Sequence, residues 1–330
     1  MKLVKPDFYD AFHCIADRCS DTCCVGWEID VDDFSQECYR HVGGKLGKKL
    51  QENIVDGHFQ LLPGDRCPFL NSKNLCEIFT QLGEDSLCDI CREHPRFVEV
   101  YGDVMERGLG LCCEEAVRLL FSNSLPLQFV ESEIDEIEDE LNDEEKRERD
   151  QIFEERRKIF QTLSDEKISF DARIEKVFPD AKNFRFFPFP NAENFEAFLS
   201  SLESFGSPWE IALKKINQKI AKEEISDAGY FTEAESVKLL SYLIYRHFAK
   251  SLYSGRKRGK LLFAFFFWNL ARLFSNELAA VDTQSKNFTE KEIQKIKIDT
   301  VKILSKEFEY SEDVMEIVEA ELEKFSGAAK

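Results

Sequence analysis

The sequence has few residues that interrupt regular structure and no long apolar run. Proline occurs 9 times and glycine 15 times among 330 residues, whereas phenylalanine occurs 30 times. Few helix breakers and many bulky apolar side chains favour long helices around a substantial core. The longest apolar stretch, 261–268, has eight residues. A membrane-spanning helix needs roughly 20, so this stretch predicts a core helix and argues against a membrane partner.

Several functional signals are also missing from the sequence. It contains no glycine-rich phosphate-binding loop, no Ser–His–Asp order and no His-Glu-x2-His motif. The N-terminal residues carry no apolar run typical of a secretory signal, so we expect a cytoplasmic protein. The 44 basic and 63 acidic residues give a formal net charge of −19. Such a surface repels phosphate, which excludes nucleic acid as a partner, and attracts proteins that carry lysines.

Composition divides the chain into three parts. We expect residues 1–122 to form a loop-rich cysteine module that ends in a helix at 104–121. This module is predicted to pack on an all-helical domain at 156–330, which makes the fold mainly α. Residues 123–155 are predicted to be an acidic connector or helix, since 131–155 holds 14 acidic and three basic residues. A solvated helix face explains this run, and attraction of a basic partner is the alternative.

The cysteines carry the strongest chemical signal. All 11 lie between Cys14 and Cys113, in tight clusters with polar neighbours. An odd number in a reducing compartment disfavours a disulfide framework. Several thiolates that converge on a cation offset the cost of burying each one, and the metal keeps them deprotonated. Metal ligation is therefore our first interpretation.

The spacing bears on which metal is bound. A zinc site and a cubane iron–sulfur cluster each take four cysteine ligands. The adjacent residues Cys23 and Cys24 point in different directions and can hardly both chelate one small ion. They serve two metals, or one is a ligand and the other a neighbour. A larger cluster tolerates ligands from distant loops, so we favour iron–sulfur over zinc.

Taken together, the motifs resemble those of the flagellin lysine-N-methylase family, over about residues 8–120. The motifs are Cys14-x4-Cys19-x3-Cys23-Cys24-x-Gly26-Trp27-x-Ile29, Cys67-Pro68-Phe69-Leu70, Leu75-Cys76, Leu82-Gly83-Glu84, Cys91-x3-Pro95-Arg96 and Leu111-Cys112-Cys113-x-Glu115-Ala116. The cysteine module is also similar to a family of zinc- or iron-chelating proteins. The resemblance implies methyl transfer from S-adenosylmethionine to lysines of flagellin, by a protein that carries a 4Fe-4S cluster.

The resemblance also implies a set of metal ligands. The cysteines that match the family pattern are Cys14, Cys19, Cys23, Cys24, Cys67, Cys76, Cys91 and Cys113. Cys38, Cys88 and Cys112 fall where other residues are usual, although Cys88 and Cys112 lie near enough to substitute for ligands. Eight candidates exceed what one cubane needs, so there are two sites or some of the eight only pack.

Lysine methylation is a polar displacement that needs a neutral amine held in line with the methyl group. It does not need iron redox chemistry, so we expect the cluster to be structural or to position the methionine end of the cofactor. Tyr101 and Glu106 are candidate catalytic residues that face the amine. Trp27 is a candidate to face the amine or the cofactor, and Arg96 to hold the cofactor carboxylate. An ion pair between Glu84 and Arg96 is the structural alternative.

Two other functions remain open from the sequence. One is a metal-binding or metal-delivery protein without catalysis, and the other is a zinc-organised scaffold whose acidic run binds a basic partner. The large helical region favours the enzyme, because a metal carrier needs no walls for a cofactor and a protein substrate.

Overall fold

The computed structural model describes residues 1–20, 22–26, 28–122, 126–135, 140–179, 192–202, 207–221, 229–282, 288–309 and 311–326. Helices dominate these residues, which confirms the predicted mainly α fold. Within these ranges, no helix is both long enough and apolar enough to cross a bilayer.

Among the described residues, the strands all lie before residue 134, and every later regular element is a helix. The strands are β1 (Lys2–Pro6), β2 (Ile54–Val55), β3 (His58–Phe59), β4 (Arg96–Tyr101), β5 (Val104–Leu109) and β6 (Phe129–Glu133). The N-terminal helices are α1 (Asp33–Arg40), α2 (Gly44–Asn53), α3 (Glu77–Leu82), α4 (Asp89–Glu93) and α5 (Glu114–Leu120). The later helices are α6 (Asp143–Leu163), α7 (Phe170–Val177), α8 (Ala192–Ser201), α9 (Ser207–Ala221), α10 (Glu233–His247), α11 (Ser251–Ser254), α12 (Lys257–Asp282), α13 (Glu290–Glu309) and α14 (Glu312–Ser326).

A four-stranded sheet in the order β4-β5-β1-β6 connects the N-terminal part to the helices. β1 runs parallel to β5, with Lys2 opposite Val104, and antiparallel to β6. β4 and β5 form a hairpin in which Tyr101 pairs with Val104. The turn between them contains Gly102 at φ +70°, a conformation that glycine adopts at little cost.

The predicted helix at 104–121 is wrong in its first half, which is strand β5. Only the second half is helical, as α5. Gly108 lies within this strand, and a Cβ there would come within 2.3 Å of the Phe97 ring and 2.9 Å of the Tyr242 hydroxyl oxygen. The β5 backbone at Gly108 therefore lies close to Phe97 of β4 and to Tyr242 of α10. Both residues lie outside the segment 104–121, so its own sequence does not show this strand.

Among the described residues, the buried apolar side chains form two hydrophobic cores. The small core lies within residues 29–91 and buries Ile29, Val31, Tyr39, Leu46, Leu50, Phe59, Cys67, Phe69, Leu70, Ile78 and Cys88. The large core joins β1, β5 and α5 to the later helices. Its centre is α12, which contacts α9, α10, α13 and α14. The predicted core helix at 261–268 is confirmed, since all of its side chains except Leu261 are buried there.

The acidic segment contributes regular structure where it is described. β6 pairs with β1, and α6 contacts α7 and α10. Asn142 and Glu145 form a capping box that begins α6. Arg149, Ile152 and Arg156 lie at helical spacing on its buried face. The division of the chain at residues 122 and 155 stays a prediction.

Candidate metal centre

Five cysteines gather around the small core and are termed the inner thiol set. Cys67 and Cys88 are 4% and 1% exposed, and Cys24, Cys76 and Cys91 pack against the same core. The Cys67 amide donates to the Cys24 carbonyl oxygen at 2.8 Å. Cys76 precedes α3, and Cys88 precedes α4, which carries Cys91. Three separate segments of the chain thus supply this set.

The inner thiols influence one another electrostatically. The Cys91 thiol donates a hydrogen bond to Cys88, which lowers the pKa of Cys88 and raises that of Cys91. Burial raises the pKa of Cys67 to about 12, and the charge of Cys24 adds to this rise. A hydrogen bond from Cys23 lowers the pKa of Cys24 to about 7. Such shifts arise when several thiols are close together, because one anionic sulfur disfavours the next.

Cys14, Cys19, Cys23 and Cys113 form the outer thiol set. Cys14 and Cys23 are exposed, whereas Cys19 and Cys113 are half-buried. The hydrogen bond to Cys24 raises the pKa of Cys23, and the charges of Cys14 and Cys113 raise it further. Burial raises the pKa of Cys113 to about 12, with a smaller contribution from Cys19. The outer thiols are thus close to one another but nearer to solvent.

The outer set is tied to the large core through Glu114, at the start of α5. Its Oε2 atom accepts a hydrogen bond from the Ser20 amide at 2.7 Å and lies 3.7 Å from the Cys19 sulfur. Lys302 of α13 donates to the Ser20 hydroxyl at 3.2 Å. The loop that carries Cys19 is therefore held by helices on two sides.

The fit of these residues to a metal rests on donor chemistry. Within the described ranges, no three or more His, Cys, Asp or Glu side chains are arranged as ligands of one ion. The nine cysteines of the inner and outer sets form no disulfide. A thiophilic cation would replace their mutual repulsion with attraction and keep them deprotonated. The thiols thus have the donor chemistry of a zinc or iron–sulfur site, while their arrangement among the described residues does not assemble a ligand set for one ion.

The cysteines outside the family pattern have different positions. Cys88 belongs to the inner set, and the spacing Cys88-x2-Cys91 was the signal for it in the sequence. Cys112 is 8% exposed and lies beside Gly110. Cys38 is exposed on α1.

The structure brings the two candidate catalytic residues into one buried cluster. Tyr101 is 1% exposed and Glu106 is 2% exposed. Glu106 forms a two-point ion pair with Arg156, in which Nη1 donates to Oε2 at 2.9 Å. The Tyr101 ring lies against Phe153 and Tyr253, with centroids 5.6 and 5.9 Å away. Its hydroxyl has no hydrogen-bond partner among the described residues.

Burial raises the pKa of Tyr101, and the charge of Glu106 raises it further, so this hydroxyl stays protonated at neutral pH. Arg156 was not predicted as part of the site. The sequence does contain a signal for Arg156, namely the helical spacing of buried residues along α6. The acidic composition of the segment concealed this signal.

The remaining candidates lie elsewhere. Arg96 begins β4, with its guanidinium 5.1 Å from the centroid of the Phe12 ring, and donates to the Arg92 carbonyl oxygen at 3.3 Å. Glu84 is exposed in a short turn after α3. Trp27 lies outside the described residues. Their assignment to cofactor binding or to an ion pair stays a prediction.

A second buried charged cluster connects α10 to α13. Glu309 Oε1 lies 3.1 Å from Arg246 Nη1 and accepts a hydrogen bond from His247 Nε2 at 2.6 Å. Ser305 donates a further hydrogen bond to Glu309. Burial by itself would raise the pKa of Glu309, but the Arg246 charge and these hydrogen bonds outweigh it and lower the pKa to about 2. Glu309 is therefore ionised and His247 is a neutral donor.

We expect acid to destabilise the protein through His247. Burial lowers the pKa of His247 from 6.5 to about 4. Between these two pH values the unfolded chain binds a proton at His247, whereas the folded chain does not. This contribution to stability is complete above pH 6.5 and is lost as the pH falls toward 4. Between pH 7 and pH 5, it corresponds to about 2 kcal/mol of unfolding free energy. Denaturant unfolding at the two pH values measures it.

The variant His247→Gln should remove this share of the pH dependence, while His41→Gln, at an exposed histidine, should leave it unchanged. Burial also lowers the pKa of His94 to about 4, so part of the fall persists in His247→Gln. An equal pH dependence in wild type and His247→Gln would contradict the prediction.

Comparison with known proteins gives a distant relationship. The flagellar biosynthetic protein FliU of Salmonella muenchen is 28% identical over 131 residues, which cover 37% of this chain and 78% of that protein. Lysine-N-methylases of Salmonella typhimurium and Salmonella choleraesuis are each 25% identical over 142 residues. The match covers 40% of this chain and 35% of each lysine-N-methylase, about a third of their length. No family model matches, and no solved structure matches. The chain is thus distantly related to lysine-N-methylases.

Proposed function

We propose that this protein is a lysine N-methyltransferase that uses S-adenosylmethionine, acts on flagellin and holds an iron–sulfur cluster through its cysteines. The observation that carries the proposal is the similarity to two lysine-N-methylases. The flagellar name of a third relative supports flagellin as the substrate. Cysteines that form no disulfide support a reducing compartment, which we propose is the cytoplasm.

The proposed step is a displacement at the sulfonium methyl group. The lone pair of the lysine nitrogen attacks the methyl carbon, and a carbon–nitrogen bond forms. The carbon–sulfur bond breaks and its electron pair stays on sulfur, which yields neutral S-adenosylhomocysteine. One proton must leave the nitrogen. The protein therefore has to hold the amine in line with the methyl group and stabilise its neutral form.

We assign contact with the amine to Tyr101. The buried Tyr101 hydroxyl has no hydrogen-bond partner among the described residues, and an unsatisfied buried polar group is costly. An incoming amine can donate the missing hydrogen bond to it. The aromatic rings of Phe153 and Tyr253 flank Tyr101, and such rings attract cations. Glu106 faces the same cluster, and the Arg156 ion pair holds it in place. A role for Glu106 as a base requires that pair to open.

The cofactor is proposed to bind near the outer thiol set. Arg96, at the end of β4 opposite to Tyr101, is proposed to supply a positive charge for the carboxylate of its methionine end, and Trp27 an aromatic surface. The bound cofactor therefore has to reach along this strand to bring its methyl group to an amine at Tyr101. An iron–sulfur cluster bound by the outer thiols would supply a rigid anchor for that end. The net charge of −19 favours approach of lysine-rich regions of the substrate, and salt weakens this attraction.

We expect Tyr101→Phe to lower the rate of methyl transfer by about tenfold or more, because the variant removes only the hydroxyl that contacts the amine. The assay incubates anaerobically prepared protein with flagellin and S-adenosylmethionine labelled in the methyl group, and follows label in lysine. Cofactor binding, measured separately by equilibrium dialysis, should be unchanged.

Tyr230→Phe is the matched control, because Tyr230 packs against Phe288, away from the Tyr101 cluster. It should transfer methyl groups at the wild-type rate. Equal rates in Tyr101→Phe and wild type would remove Tyr101 from the site. A metal-loaded wild type that labels no lysine would overturn the function itself.

A metal-delivery function is the second candidate, and the exposure of Cys14 and Cys23 favours it. Delivery requires ligands that a recipient protein can reach. This function predicts rapid loss of the metal from the outer set to a competing thiol chelator, and no labelled lysine.

A further inference from the structure

Strand β4 lies at an edge of the four-stranded sheet. Within the described ranges, β5 is the only strand that pairs with it. An edge strand presents a row of backbone N–H and C=O groups that can pair with another chain. β4 also carries Tyr101, the residue to which we assign contact with the amine. A chain that paired with this edge would therefore lie beside the proposed site.

The hairpin fixes which backbone groups of β4 point outward. Tyr101 and Val104 flank a two-residue turn, so they are a hydrogen-bonded pair, and such pairs alternate with non-bonded pairs along an antiparallel ladder. Just before the strand begins, the Gly110 amide donates to the Pro95 carbonyl oxygen at 2.6 Å, which agrees with this alternation. The odd-numbered residues of β4 thus bond to β5. The even-numbered residues direct their N–H and C=O groups away from it.

Val98 and Val100 supply outward-facing groups along this edge. A side-chain contact confirms their direction, because the Tyr253 hydroxyl donates to the Val100 carbonyl oxygen at 2.8 Å. Tyr253 is 59% exposed, and Val98 is 49% exposed. Tyr253 therefore occupies one acceptor of the edge from the solvent side, and a backbone N–H of another chain can take its place.

We propose that an extended, lysine-bearing segment of the protein substrate binds along the outer edge of β4 as an added strand. The inference rests on the proposed function for the identity of the occupant. Strand addition is a common mode of peptide recognition, in which main-chain hydrogen bonds supply the affinity. Residues that pair across strands share a face of the sheet. A lysine opposite Tyr101 would therefore lie on the same face as the Tyr101 ring, beside Phe153 and Tyr253.

Charge favours a lysine-bearing occupant over an acidic one. The turn next to Tyr101 lies against the start of α6, since a Cβ at Gly102 would come within 3.1 Å of the Leu141 and Arg149 side chains. The first turn of that helix carries three exposed carboxylates, those of Asp143, Glu144 and Glu145. They attract a cationic segment, whereas a second copy of this chain, with a formal net charge of −19, is repelled. This part of the acidic run thus lies where a basic partner would bind.

Hydrogen exchange at residue resolution tests the proposal in the wild-type protein. The protein is prepared anaerobically, and flagellin is added without S-adenosylmethionine, so that no methyl transfer takes place. We expect the Val98 and Val100 amides to exchange at least about tenfold more slowly when flagellin is bound, because the added strand accepts hydrogen bonds from them.

The opposite edge of the sheet, β6, provides the control for this measurement. The Asp7 amide donates to the Gln128 carbonyl oxygen, and the same alternation directs the Glu131 amide outward from β6. Its exchange rate should be the same with and without flagellin.

Val98→Pro gives a second test. Proline lacks the amide hydrogen, and at an outward-facing position of an edge strand it leaves the hydrogen bonds to β5 in place. We expect Val98→Pro to weaken flagellin binding by about tenfold or more, because the added strand loses a hydrogen bond and meets the proline ring. Val98→Thr is the matched control, because it keeps the amide and a β-branched side chain, and it should bind like the wild type. Fluorescence anisotropy of labelled flagellin measures the affinities.

Two results would overturn the proposal. One is unchanged exchange at Val98 and Val100 in the presence of excess flagellin. The other is equal affinity of Val98→Pro and Val98→Thr for flagellin. The exchange measurement needs no variant, so it decides the matter even if Val98→Pro does not fold. Protection of β4 by flagellin without any labelled lysine would refute the methyltransferase function alone, whereas labelled lysine with an unprotected β4 would refute the docking edge alone.

Discussion

Replacing Arg156 with methionine is expected to lower the unfolding free energy by about 3–5 kcal/mol, the usual cost of removing one partner from a buried ion pair. Glu106 is 2% exposed and forms a two-point ion pair with Arg156. Methionine keeps the apolar contact that the Arg156 side chain makes with Phe153 and Tyr245, whose ring centroids lie 4.8 and 5.4 Å from the guanidinium carbon. The loss therefore reports the unpaired carboxylate. Denaturant unfolding followed by far-UV circular dichroism measures it.

The neighbouring residue provides the control. Arg157 pairs with Glu154 on the exposed face of the same helix, three residues apart. Arg157→Met changes the same chemical group in the same element, and we expect only the small effect of an exposed pair. A double variant, Arg156→Met with Glu106→Leu, should recover most of the lost stability, because both charges are then gone. If Arg156→Met were as mild as Arg157→Met, the ion pair would not be buried in solution.

The parts of the fold that depend on composition and local pattern were predictable from the sequence. The apolar run at 261–268 identified the central helix, because so many consecutive bulky side chains need burial on all sides. The first half of the segment 104–121 was predicted wrongly as helix, because β5 exists through its pairing with β1 and β4. That pairing depends on Lys2 and Tyr101, which no local pattern at Val104 shows.

The cysteines illustrate the same limit at the candidate site. Their clustering in the sequence predicted metal chemistry, and the adjacency of Cys23 and Cys24 left one or two centres open. The separation into two sets depends on tertiary contacts, such as the Cys67 amide with the Cys24 carbonyl oxygen. The same is true of Glu106, whose partner Arg156 lies in a segment with a strongly acidic composition. Spacing shows which residues have the right chemistry, and only the fold shows which of them meet.

Replacing Glu309 with glutamine is expected to cost about 3–5 kcal/mol at pH 7, since it removes the counter-ion of a buried charge. Glutamine has nearly the same shape, so the packing around α13 is preserved. Arg246, which stacks on the Phe97 ring with a separation of 5.0 Å, would keep its charge without a carboxylate. The glutamine carbonyl oxygen can still accept from His247 Nε2, so the expected loss reports the unpaired Arg246 charge.

The dependence of this loss on pH distinguishes the ion pair from a packing defect. The pKa of Glu309 is lowered to about 2, below its usual value near 4.5 in the unfolded chain. A lowered carboxyl pKa stabilises the folded state above pH 4.5, and this stabilisation is lost as the pH falls toward 2. The difference between wild type and Glu309→Gln should thus be similar at pH 7 and pH 5 and shrink only below pH 4.5. Glu316→Gln, at an exposed position, should differ little from wild type throughout. A loss that stays constant down to pH 2 would instead indicate altered packing, because a packing defect does not titrate with the carboxyl group.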